Sequence, residues 1–268
     1  MGHRPAALAR SGRGLQRPAG RHVGCPRGHA AGHRGQRAGV AAGPARGCPV
    51  TARSRIAVLA SGRGSNLQAI LAAIEAGQLD AEVVAVLSDK PEAPALDSVP
   101  SDRRWARSPK DFADRASFDA ALADALAGFA PDWVVCAGYM RILGQAFVAR
   151  FEGRLVNIHP SLLPLYKGLH THARALEAGD TEHGASVHFV VPELDAGSVL
   201  AQARVPVQPG DTPETLARRV LDVEHPLLIA SLQWLVAGRV AEREGHLQVD
   251  GHPLFSPLRL DCAGKLNG

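Results

Sequence analysis

The run RIAVLASGRGSNLQAILAAIEAG, residues 55–77, constrains the fold more than any other stretch of the chain. RIAVLA has the aliphatic density of a buried strand, and SGRGSN supplies the glycines and short polar residues of a turn. Leu67, Ile70, Leu71 and Ile74 then recur at helical spacing before Gly77 closes the helix. Strand, glycine turn, helix is the opening half of a crossover unit, and such units bury their apolar faces by stacking as a parallel sheet with helices on both sides.

The alternation continues down the chain. AEVVAVLSD (81–89) predicts a second strand, SFDAALADALAGFA (117–130) a helix opened by Ser117, and PDWVVCAG (131–138) a third strand. MRILGQAFVARF (140–151) reads as a helix, and RLVNIH (154–159) as a strand whose last residues emerge at its carboxyl end, where open α/β sheets bind ligands. HARALEAGD suggests a short helix, and GASVHFVVPELDAG and SVLAQARVPV suggest two strands joined by a turn. A long helix should start at Thr212 and bend at Pro226. The predicted class is α/β, a doubly wound, mostly parallel, Rossmann-like sheet flanked by helices. Residues 91–110 break the pattern: PEAPALDSVPSDRRWARSPK has four Pro, Trp105 among Arg, and no usable period. A helix and a strand are expected to be missing there, as compensating frameshifts would leave.

Composition divides the chain in two. Residues 1–54 carry ten Arg, eleven Gly and five Pro but no Lys, Asp or Glu, a mixture that cannot build a core. The expectation is a disordered extension, with the natural start near Ser54 or Arg55. It is Arg-rich and acid-free as transit peptides are, yet poor in Ser and without an amphipathic helix. Residues 55–268 retain 20 Lys and Arg against 26 Asp and Glu, a net charge near −6, so the basic balance belongs to the extension. No basic stripe interleaved with aromatics remains, and no nucleic-acid partner is expected. The absence of a long apolar run argues against a membrane partner. Cys25, Cys48, Cys136 and Cys262 form neither a zinc spacing nor a disulfide framework, which suits a reducing, cytoplasmic setting. One domain over 55–250 and a tail over 251–268 are expected.

Three motifs carry chemistry. In SGRGSN the backbone N–H groups of Gly64, Ser65 and Asn66 would point from a helix N-terminus toward an anion, although a structural turn explains the same residues. NIHP puts Asn157 and His159 on one side of an extended segment: an amide that could stabilise an oxyanion beside an imidazole that could shuttle a proton, or else a His packed beside Pro. Five His between 159 and 188 invite a metal, but neither an i, i+4 helical pair nor a two-His-one-carboxylate spacing occurs, so no metal is expected. In ELDAG, Asp195 is either a turn former or a carboxylate that orients His159.

In order, LASGRGSNLQAI, AGYMRIL, NIHPSLLPLYKGLHTHARALEAGD, EHGASVHFVVPELDAGSVLAQARVPV and EHPLLIASLQWL make residues 55–250 resemble the folate-dependent phosphoribosylglycinamide formyltransferases of de novo purine synthesis. The resemblance implies the formyltransferase fold and transfer of a formyl group from 10-formyltetrahydrofolate, as cosubstrate, to the amine of a glycinamide ribonucleotide. No bound cofactor or metal is implied, only small-molecule substrates, in a monomer or homodimer. Gly64, Ser65 and Asn66 would hold the phosphate, and Glu224 the ribose hydroxyls. Arg115, Met140, Arg141, Ile142 and Leu143, with Asn157, would hold the folate. Asn157, His159 and Asp195 would be catalytic, while His170 and His172 receive no role. Formyltetrahydrofolate hydrolases share the triad, and an impaired binding homologue would follow if residues 91–110 disrupted the fold. Methionyl-tRNA formyltransferases differ in having Gly after the catalytic His.

Overall fold

Residues Ile56 to Leu59 are all fully buried, as a strand covered on both faces must be. Their side chains alternate between two cores. Ile56 and Val58 join the core that holds Leu67 and Ile70, whereas Ala57 and Leu59 join the one that holds Phe118, Leu122 and Phe147. The computed structural model describes residues 53–243 and 246–268; the expectation for residues 1–54 therefore lies outside the described residues, except at its last two positions.

The elements are β1 (Ser54–Leu59), α1 (Ser65–Glu75), β2 (Ala81–Ser88), β3 (Arg104–Ala106), α2 (Arg115–Gly128), β4 (Trp133–Cys136), α3 (Gln145–Arg150), β5 (Leu155–His159) and α4 (Thr171–Ala178). There follow β6 (Glu182–Phe189), β7 (Val199–Pro206), α5 (Pro213–Val236), β8 (Val240–Arg243), β9 (His246–Val249), β10 (His252–Pro253), β11 (Leu258–Leu260) and β12 (Leu266–Asn267). The main sheet has the order β12-β11-β7-β6-β5-β4-β1-β2-β3. Strands β1 to β5 are parallel, and β6 and β7 form an antiparallel pair beyond β5. The chain runs outward from β1 through β2 and β3, then returns to β4 on the other side of β1. That reversal opens a crevice above the carboxyl ends of β1 and β4.

Several expectations change. Residues 91–110 do not interrupt the sheet: they form two 3₁₀ turns, Pro94–Ser98 and Ser101–Arg103, and then β3, which pairs with β2 from Val86–Arg104 to Ser88–Ala106. Ala93, Ala95, Leu96 and Val99 are buried in the same core as α1. The arginines that looked out of place cap backbone carbonyls, Arg103 Nη1 donating to Val83 O at 2.7 Å and Arg104 Nε to Val99 O at 2.6 Å. Ser117 is not the N-cap of α2. Asp114 is, accepting from Ser117 N at 2.7 Å, while the Ser117 hydroxyl closes a capping box at the third position. Helix α3 starts only at Gln145, because Gly144 is extended at φ −73°, ψ 158°, which leaves residues 140–143 as a loop at the crevice.

Helix α5 begins at the Thr212 capping box as expected and continues through Pro226. Residues 251–268 are no tail. Strand β11 pairs parallel with β7, β12 closes on β11, and the buried Leu258 and Leu266 seal an edge that β7 would otherwise expose. Strands β8, β9 and β10 form a separate antiparallel sheet.

Candidate active site

The crevice begins where β1 ends. Ser61 Oγ donates to Asp89 Oδ1 at 2.6 Å and accepts from Met140 N at 2.9 Å, so one hydroxyl ties together the chain after β1, β2 and β4. The loop then turns at Gly64, the N-cap of α1, whose φ of 77° favours glycine. Among the described residues no side chain caps this helix, which leaves its first amides for a polar ligand. Ala95 N donates to Gly62 O at 3.2 Å, so the segment once expected to be defective is what holds this loop. Asn66 Nδ2 donates to Glu224 Oε2 at 3.3 Å, joining α1 to α5. Burial pushes the Glu224 carboxyl above its ordinary range, and the Asn66 hydrogen bond opposes that shift.

At the end of β5, Asn157 and His159 both border a cavity of about 690 Å³ that also reaches Asn66, Met140, His172, Asp195 and Glu224. Asn157 sits opposite His188 in the antiparallel register with β6, next to a register shift at Val187/His188. His188 Nδ1 faces the Phe189 carbonyl at 2.8 Å, which can only accept, so Nδ1 carries the hydrogen. Burial lowers the His188 pKa, and the neutral ring keeps Nε2 bare to accept from Asn157 Nδ2 at 3.0 Å. This fixes the orientation of the Asn157 amide and leaves its Oδ1 and second N–H for a ligand. The 3.6 Å approach of His188 Nε2 to Asp195 Oδ1 is therefore a contact with a neutral ring and not an ion pair.

His159 is 7% exposed, with Nε2 3.0 Å from the Tyr166 carbonyl and Nδ1 3.5 Å from Asp195 Oδ2. One ring nitrogen thus meets a backbone carbonyl and the other faces the Asp195 carboxylate. Asp195 is held in turn by Gly168 N, which donates to Oδ2 at 2.8 Å. Its φ of 46° is unusual for a residue with a Cβ, and strain of this kind collects at functional positions. The turn that presents it needs Gly197, where a Cβ would lie 1.9 Å from the Phe189 carbonyl oxygen.

The loop residues divide. Met140 and Ile142 are 66% and 51% exposed at the cavity mouth, whereas Leu143 packs into the core beneath it. Arg141 stacks over Phe118 at 5.0 Å. A second cavity of about 90 Å³, shared by Arg141, Ile142, Leu143, Asn157 and His188, extends beneath the loop. Arg115 lines neither cavity; its Nη2 donates to the Ile142 carbonyl at 2.6 Å and so buttresses the loop. Of the sequence-derived set, Asn66, Met140, Arg141, Ile142, Asn157, His159, Asp195 and Glu224 share the larger cavity, and Gly64 and Ser65 form the helix start beside it. His188 was missed as a contributor; its signal, a place opposite Asn157, exists only once the β5–β6 register is known. Among the described residues no cluster of three or more His, Cys, Asp or Glu could hold a metal ion.

Residues 54–232 match the family model described as formyl transferase. The chain belongs to the formyl transferase family. Over 201 residues it is 45% identical to the phosphoribosylglycinamide formyltransferase of Escherichia coli K12, covering 74% of this chain and 95% of that protein. The solved phosphoribosylglycinamide formyltransferase of Coxiella burnetii superposes with a TM-score of 0.71 at 45% identity, over 75% of this chain and 96% of that one. A formyltetrahydrofolate deformylase from Pseudomonas syringae is more distant, at 27% identity and TM-score 0.66 over 74% of this chain and 66% of that one.

Proposed function

We propose that this formyl transferase moves a formyl group from 10-formyltetrahydrofolate to the amine of N1-(5-phospho-D-ribosyl)glycinamide, a step of purine (IMP) biosynthesis. The observation that carries this reading is a single cavity with a nucleotide-suited end, Asn66 and Glu224 beside the uncapped α1, and a transfer-suited end, Asn157, His159 and Asp195. The amides of Gly64, Ser65 and Asn66 bind the phosphate, and the Glu224 carboxylate accepts from the ribose hydroxyls. The folate lies against Met140, Arg141 and Ile142, over a loop floored by Leu143 and braced by Arg115.

The chemistry follows from the hydrogen-bond inventory. As the substrate amine attacks the formyl carbon, negative charge develops on the formyl oxygen. The free N–H of Asn157 and the Nε2–H of His159, exchanging the Tyr166 carbonyl for that oxygen, stabilise the charge. Asp195, beside Nδ1, keeps the ring turned toward the reacting groups. The amine's proton leaves to the departing folate nitrogen by way of these groups and water. With 10-formyltetrahydrofolate present, absorbance of the deformylated folate should rise only when the glycinamide ribonucleotide is added. Equal release without the nucleotide would instead assign hydrolysis, the activity named for the Pseudomonas relative.

A further inference from the structure

His172 lies in the first turn of α4 and lines the same cavity as His159. Behind it is His183 of β6, 1% exposed, with Nε2 3.2 Å from His172 Nδ1 and the two rings nearly perpendicular at 87°. A hydrogen bond from His183 to the Pro160 backbone, whose carbonyl also accepts from the Thr171 hydroxyl at 2.7 Å, falls to the nitrogen not facing His172. A carbonyl can only accept, so His183 Nδ1 carries the hydrogen. Burial lowers the His183 pKa to about 4, and the neutral ring leaves Nε2 as an acceptor. His172 Nδ1 must therefore be the donor of the pair. Burial lowers the His172 pKa as well, so its Nε2 is a bare lone pair, and among the described residues no hydrogen bond to it is formed.

The chain from the Pro160 carbonyl through His183 thus selects one tautomer of His172 and turns an acceptor toward substrate. The open side-chain acceptors on the cavity wall include Asn157 Oδ1, Asn66 Oδ1 and His172 Nε2. Asp195 is engaged by Gly168 and His159, and Glu224 receives Asn66 at the opposite end. A glycinamide arm brings N–H donors, on its amine and its amide, through the space between these ends. We infer that His172 Nε2 accepts a hydrogen bond from an N–H of the glycinamide arm and fixes how the nucleotide substrate lies. This rests on the function proposed above and adds to it a residue that discriminates between the two substrates.

The test is His172→Phe, which keeps the ring and removes the lone pair, with His172→Gln as a variant that can still accept. For the full-length enzyme, kcat/KM for the nucleotide should fall about 10-fold in His172→Phe, the worth of one lost hydrogen bond. KM for the folate should stay within about twofold, and His172→Gln should recover part of the loss. In the wild-type protein, ¹⁵N chemical shifts should show His172 protonated at Nδ1 and bare at Nε2, and His183→Phe should abolish that preference. Equal losses for both substrates, or an unchanged kcat/KM for the nucleotide, overturns the inference. A wild-type spectrum with Nδ1 bare does the same, and that measurement decides the matter if His172→Phe does not fold. A wild-type enzyme with the stated tautomer but no nucleotide-dependent transfer removes the proposed function, and this inference with it.

Discussion

Gly64→Ala tests how the α1 end of the cavity is built. The position has a φ of 77°, where an alanine costs about 1–2 kcal/mol. The added Cβ would also lie 2.7 Å from Ala95 Cβ and 3.1 Å from Ala95 Cα. Ala95 is fully buried, and its N–H is held by Gly62 O, so it cannot retreat without losing a hydrogen bond. Overpacking of this kind costs about 1–3 kcal/mol. The reduced freedom of the unfolded chain returns about 0.4–1 kcal/mol. The net destabilisation is roughly 1–5 kcal/mol, or about 2–4 °C in Tm for each kcal/mol in a domain of this size. Urea unfolding followed by circular dichroism gives the first number, and KM for the nucleotide, which should rise as the α1 amides shift, gives the second. Stability within about 0.5 kcal/mol of wild type, with KM unchanged, would refute the claim that this loop and the 91–110 segment are packed as a unit.

The remaining predictions concern charge and proton handling. His159→Ala should lose about 10²- to 10⁴-fold in turnover with little change in nucleotide KM, as checked by steady-state kinetics. Asp195→Asn should cut turnover about 10- to 10³-fold and leave the melting temperature near wild type, because an Asn tolerates the φ of 46° and its Oδ1 can still accept from Gly168 N. Glu224 has its carboxyl raised by burial, so the folded state binds this proton more tightly than the unfolded chain, whose ordinary value is 4.5. Its contribution to stability is therefore fully present below pH 4.5 and is lost as pH rises through the raised value. Glu224→Gln should accordingly melt higher than wild type at neutral pH, with the gain vanishing toward pH 4.5, while nucleotide KM rises at neutral pH.

Strands and helices that bury a regular stripe were legible in the sequence, because period 2 or 3.6 is imposed by a flat sheet or a helix against one core. Residues 91–110 were not. Their buried positions, Ala93, Ala95, Leu96 and Val99, follow two 3₁₀ turns and a three-residue edge strand, and neither leaves a run long enough to show a period. The loop at 140–143 read as a helix for the opposite reason: its apolar residues have helical spacing, yet Met140 N and the Ile142 carbonyl are committed to Ser61 and Arg115. Asn157 and His159 stood out through their order on one strand. The residues that surround them, His188 across the sheet and Asp195 in the β6–β7 turn, become neighbours only through register and strand order.

The most direct test of the account follows a ¹³C-labelled formyl group from 10-formyltetrahydrofolate, with and without glycinamide ribonucleotide, using the full-length protein. The account predicts that the label appears in the nucleotide's new formamide, one for each folate consumed, and that free formate forms only at background level. Label appearing as formate at the same rate whether or not the nucleotide is present would contradict it.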